Sequence, residues 1–187
     1  MSVDYWAVLW DSERDQWRYV PRQTIGPLTF GMSWENAVAA MAEQGFTAEQ
    51  HAMGSWHSTG RAQWRVEFVK AHPARGRPAV LCYFVAGAGL TCVLVDGLLG
   101  PQVTCEGIRV IGRVPSELSK DMESYAIEHD AGLRSSPGGG LTVDGFEIEL
   151  GAQRADDAVV TWALFFKTGE IAGTSWDIAP AEVWHHW

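Results

Sequence analysis

Three cysteines, Cys82, Cys92 and Cys105, and six histidines, His51, His57, His72, His129, His185 and His186, are the residues best suited to nucleophilic or metal chemistry. Their spacing organises neither. There is no His-Glu-X-X-His helix and no Cys-X-X-Cys pair, and His51 with His57 has only Glu49 as a local carboxylate, so no metal or cofactor is expected. An odd cysteine count argues against a disulfide framework. Cys82 and Cys92 fall in apolar runs that read as buried strands, which makes them small hydrophobes in a reducing, cytoplasmic setting. Cys105 precedes Glu106, a neighbour that raises a thiol pKa rather than lowering it. Gly54-Ser55-Trp56-His57 places a serine near a histidine, but no Gly-X-Ser-X-Gly elbow exists. The stretches Gly87-Ala88-Gly89 and Gly138-Gly139-Gly140 match neither a dinucleotide loop nor a Walker loop and read as turns.

Carboxylates are more numerous, and they are unevenly placed. The chain of 187 residues has 14 Lys and Arg against 23 Asp and Glu, a net charge of −9. Residues 1–96 contribute 8 basic and 9 acidic groups, residues 97–187 contribute 6 and 14, so the second half holds −8 of the total. This argues against nucleic acid and anionic membrane surfaces, both of which need positive charge. Glu147 and Glu149 share one strand face. Glu117, Asp121 and Glu128 fall within about 40° of one another on a predicted helix, in a stripe about 16 Å long. Asp156-Asp157 occupies a loop. The stripe reads either as a solvated face or as a surface for a basic partner. Ten tryptophans sharpen the second reading, because Trp is enriched at interfaces. Trp6, Trp10, Trp34, Trp64 and Trp162 have core-like positions, whereas Trp56, Trp176, Trp184 and Trp187 lie in irregular stretches. The candidate partner-binding set is therefore Glu117, Asp121, Glu128, Asp156, Asp157, Trp56, Trp176 and Trp184, with no catalytic and no metal-binding residue.

The elements that must position these groups read as an α+β domain spanning 1–187. Strands are predicted at Tyr5 to Trp10, Trp17 to Val20, Gln63 to Val69, Ala79 to Val85, Leu90 to Asp96, Gly107 to Gly112 and Val159 to Phe166, with Asp144-Gly145 as a tight turn. Gln63 to Val69 alternates, which predicts a sheet with one wet face. Helices are predicted at Ser33 to Gln44, with Ser33 as cap and Gly45 as stop, and at Ser116 to His129, with Leu118, Met122, Tyr125 and His129 on one line. Short connections favour a mainly antiparallel sheet with both helices on one face. The order strand, helix, meander occurs twice and suggests two degenerate repeats, 20–96 and 101–170. The acidic start MSVDYWAVLWDSERD lacks the pattern of an export signal, and no apolar run reaches membrane-spanning length.

The segment GPLTFGMSWENAVAAM carries Gly26, Leu28, Phe30, Gly31, Met32 and Ser33 in the pattern Gly-X-Leu-X-Phe-Gly-Met-Ser followed by a helix. This resembles small actinobacterial α+β proteins of the immunity or inhibitor type. The resemblance implies a noncatalytic protein that binds a basic toxin or enzyme. Two alternatives stay open: a small enzyme or small-molecule binder with a pocket lined by Trp56, His57 and Tyr83, and a subunit that homodimerises through an uncovered sheet.

Overall fold

The computed structural model describes residues 8–53, 63–70, 77–135 and 139–167. Among them the near-continuous apolar runs become the middle of a six-stranded antiparallel sheet. They are β6 (Val80–Val85), β7 (Gly89–Val95) and β13 (Ala158–Phe166), flanked by β5 (Gln63–Lys70), β4 (Phe46–Met53) and β12 (Ile148–Ala155). The order is β12-β13-β7-β6-β5-β4. A smaller sheet, β3-β2-β1-β8-β9, is built from β1 (Gln16–Val20), β2 (Thr24–Ile25), β3 (Leu28–Thr29), β8 (Gln102–Cys105) and β9 (Ile108–Arg109). Its β1–β8 pair is parallel, while all other strand pairs among the described residues are antiparallel. A hairpin of β10 (Leu133–Ser135) and β11 (Leu141–Val143) completes the strands.

Helix α1 (Trp34–Glu43) begins where Ser33 Oγ accepts the Asn36 N–H, satisfying a donor the helix cannot satisfy itself. It buries Ala37 and Met41. Helix α2 (Pro115–Glu128) starts on a proline, whose missing N–H costs nothing at that position, and buries Leu118, Met122 and Ala126. Both helices and the smaller sheet share one core with Val66, Phe68, Val80, Cys82, Phe84, Val93, Val95, Ala163 and Phe165 of the larger sheet. The fold is thus a mixed α+β arrangement with a mainly antiparallel sheet and two helices packed alongside it.

The loop before each helix is tied to a central strand in the same way. Gly31 N donates to Leu90 O (2.8 Å) and Leu90 N to Met32 O (2.9 Å); Gly112 N donates to Thr161 O (2.8 Å) and Thr161 N to Arg113 O (2.9 Å). The central pair β7–β13 matches Val95 with Ala163 and Cys92 with Phe166. With Leu90 equated to Thr161, exchanging the halves maps that register onto itself.

Several local expectations differ from the structure. Of the stretch from Tyr5 to Trp10, residues 8–10 form no strand, and Asp11–Glu13 is a single 3₁₀ turn. Trp10 is 77% exposed rather than core; it stands at the start of that turn, where its backbone N–H donates to Glu13 Oε2 at 2.8 Å. The strand expected at Gly107 to Gly112 is present but shorter, as β9, which forms the return arm of a hairpin with β8 turned by Glu106 and Gly107 at positive φ. Strand β4 was not expected, since FTAEQHAM has little β propensity; it forms by pairing residue for residue with β5. The expected wet face of the sheet is not wet. Leu81, Tyr83, Cys92, Leu94, Trp162, Leu164 and Phe166 form a second buried cluster on the face away from the helices, and the Arg65 and Glu67 side chains are only 18% and 17% exposed.

Candidate functional site

The predicted acidic stripe is carried by α2, and its orientation follows from what the helix buries. Leu118, Met122 and Ala126 face the core, and the stripe falls on the helix flank. His129, expected on the apolar line, is exposed and stacks on Tyr125 at 3.9 Å, so Ala126 takes its place against the core. Glu117 is 60% exposed and Asp121 46%. Both approach Arg113, whose Nη2 lies 3.0 Å from Asp121 Oδ2 and 3.9 Å from Glu117 Oε2. Arg113 is itself fixed by its backbone on β13, through Thr161 N and Thr161 Oγ1, and by Nη1 on Arg109 O. Two of the three carboxylates of the stripe are therefore partly neutralised within the chain. Glu128 is exposed and makes no ion pair among the described residues.

Asp156 and Asp157 are exposed at the turn joining β12 and β13, with Asp156 at φ 56° and its carbonyl accepting from Arg154 Nε at 2.8 Å. The structure brings Glu117 and Asp121 together around Arg113, and places Asp156 and Asp157 on a separate element of the same half. Trp56, Trp176 and Trp184 lie outside the described residues, as does His57. Sequence reasoning overlooked Ile127, which is 82% exposed on the outer side of α2. The signal was available: positions 118, 122 and 126 define the inward direction, and 127 lies about 100° beyond 126.

Nothing among the described residues assembles a nucleophile with a base. All three cysteines are free and buried. Burial pushes the Cys92 thiol up to about 12, and Cys105 to about 12 with Glu106 adding to the effect; Cys82 is raised by burial as well. Thiolate chemistry at neutral pH is thereby suppressed. Among the described residues no group of three His, Cys, Asp or Glu side chains is placed to hold a metal ion. Tyr83 sits in the second buried cluster with a hydroxyl that has no hydrogen-bond partner among the described residues and a pKa raised by burial. It does not line the two described cavities, of about 190 and 50 Å³.

Glu147 and Glu149 are both buried, at 4% and 6% exposure. Glu147 accepts from Arg22 Nη2 at 2.5 Å, with its backbone at φ 53°. Tyr19 donates its hydroxyl to the Glu147 carbonyl at 3.3 Å. These are contacts between β1, the loop after it and the start of β12, and they bind the smaller sheet to the larger. No family model matches the chain, and no curated protein or solved structure matches it either.

Proposed function

We propose that the chain is a noncatalytic protein-binding module of the immunity or inhibitor type, whose acidic second half recognises a basic toxin or enzyme. One observation carries this reading. On α2 the exposed Ile127 is flanked by exposed Glu123 and Glu128, on a helix held rigid by its buried face. An apolar anchor within a charged rim is the usual anatomy of a protein interface. The buried thiols with raised pKa values also favour binding over catalysis.

The test uses the product of the reading frame adjacent to this one. It is expected to be basic and toxic when expressed alone, and to be neutralised and bound when the two are co-expressed. Charge reversal at Glu117, Asp121 and Glu128 should slow association, each exposed contact being worth about 0.2–1 kcal/mol. Because Arg113 already opposes the first two, Glu128→Lys should give the largest share. Ile127→Ala should instead speed dissociation, at about 1–2 kcal/mol. Surface plasmon resonance separates the two effects. A harmless neighbour, or a toxic one that this chain does not neutralise, overturns the reading.

A further inference from the structure

A guanidinium removed from water is normally matched by a carboxylate, because an uncompensated buried charge costs several kcal/mol. Arg14 departs from this. It is 6% exposed. Nε donates to Leu9 O at 3.2 Å, Nη1 to Gly100 O at 2.5 Å, and Nη2 to Gly97 O at 2.7 Å and Leu98 O at 3.1 Å. No carboxylate among the described residues pairs with it. Asp96, whose carbonyl accepts the Gly100 N–H in the same turn, is occupied: Oδ1 accepts from the Leu98 and Leu99 N–H groups, and Oδ2 from Gln153 Nε2 and Arg77 Nη2. Of the five N–H groups of a guanidinium, the contacts among the described residues leave one on Nη1 of Arg14 and four on Arg77.

Arg14 and Arg77 both line the cavity of about 190 Å³, together with Lys70, Glu13 and Asp15. Lys70 Nζ holds both oxygens of Asp15, at 2.8 and 2.6 Å, so that pair cancels. Glu13 is turned to the Trp10 N–H. Among the described lining residues three cations meet two carboxylates, and Asp96 behind Arg77 supplies a third, so the surroundings are balanced rather than acidic, inside a chain whose net charge is −9. Leu99 and Pro101 supply an apolar wall. Guanidinium N–H donors to spare, beside an apolar wall in one concavity, are the elements of a small-anion site.

We propose that this cavity binds a small organic oxyanion, a carboxylate or phosphate monoester on a short apolar body, with the anionic group at Arg77 and Arg14 and the body against Leu99 and Pro101. The site is separate from the α2 surface, so it stands or falls independently of the protein-binding reading.

Isothermal titration of the full chain with benzoate, phenyl phosphate and neutral benzyl alcohol, in a buffer free of carboxylate and phosphate, tests this. Saturable binding is expected for at least one oxyanion and not for the alcohol, weakening as chloride is added. Binding by one oxyanion only identifies the group the site prefers. Arg77→Gln should weaken binding about tenfold, the scale of one lost charged hydrogen bond, with circular dichroism confirming the fold. Should that variant unfold because Asp96 loses a partner, Arg77→Lys, which keeps a cation for Asp96 but removes the planar set of donors, carries the same expectation. Saturation by neither oxyanion, equal binding of benzyl alcohol, or unchanged affinity in a folded Arg77→Gln protein overturns the proposal.

Discussion

The two stretches that feed the helices, 31–34 and 112–115, make the same backbone bonds to a central strand with unrelated side chains. Both begin with a glycine at positive φ, 88° at Gly31 and 68° at Gly112, where other residues are strained. After that the chemistry diverges. The first half caps its helix with the Ser33 hydroxyl. The second has Val114 at the cap, with no side-chain bond, and relies on Pro115 at the first helical position. A hydroxyl that satisfies an N–H and a proline that removes one are two solutions to the same deficit. What the halves share is a pattern of backbone hydrogen bonds, which constrains φ and ψ but leaves most side chains free.

That comparison is broken most severely at Gly89. Its φ is +70°, and a methyl group there would run into the Gly31 carbonyl, with Met32 O at 2.6 Å. The corresponding position before Thr161 is Val160, which carries a side chain and is buried. Gly89→Ala should therefore cost about 3 kcal/mol or more, or prevent folding. Val160→Ala, a simple truncation, should cost about 1–2 kcal/mol. Urea denaturation of both variants measures the difference; equal losses would mean that the loop–strand contact is not tight in the first half.

Thiol burial offers a second comparison, because Cys92 lies in the first half and Cys105 in the second, and both have thiols pushed up to about 12. The sign follows from linkage: the folded state holds these protons more tightly than the unfolded state, whose thiols titrate near 9. The stability they contribute is fully present below about pH 9 and declines as pH rises towards 12. A denaturation series across that window should show the decline, and a cysteine-free triple alanine variant should show a shallower one. Below pH 9, neither thiol should react with a disulfide reagent until denaturant is added.

The helix starts give the smallest expected effects. Ser33→Ala removes a cap and should cost about 1 kcal/mol. Pro115→Ala should cost only about 0.4–1 kcal/mol, because the proline acts mainly by restricting the unfolded chain. Thermal midpoints of the two single variants and of the double variant test this. Additive losses are expected, since the two sites belong to different helices.

Much of this architecture was legible locally. The cap and stop of α1, the apolar runs of β6, β7 and β13, the Asp144-Gly145 turn and the burial of Cys82 and Cys92 are all written in nearest-neighbour pattern. An amphipathic period or a turn residue acts over a few positions, so the sequence alone determines it. Other features depend on partners distant in the chain. Strand β4 exists because β5 offers an edge, and β11 pairs with β10 rather than across the Asp-Gly turn. The acidic stripe was visible on the helix, but its partial neutralisation required Arg113 to be fixed on β13. Nothing in the local sequence distinguishes Arg14 from a surface arginine. Its burial depends on the carbonyls of residues 97, 98 and 100 converging on it, and such convergence of chain-distant dipoles is decided only by tertiary structure, because no short-range pattern encodes it.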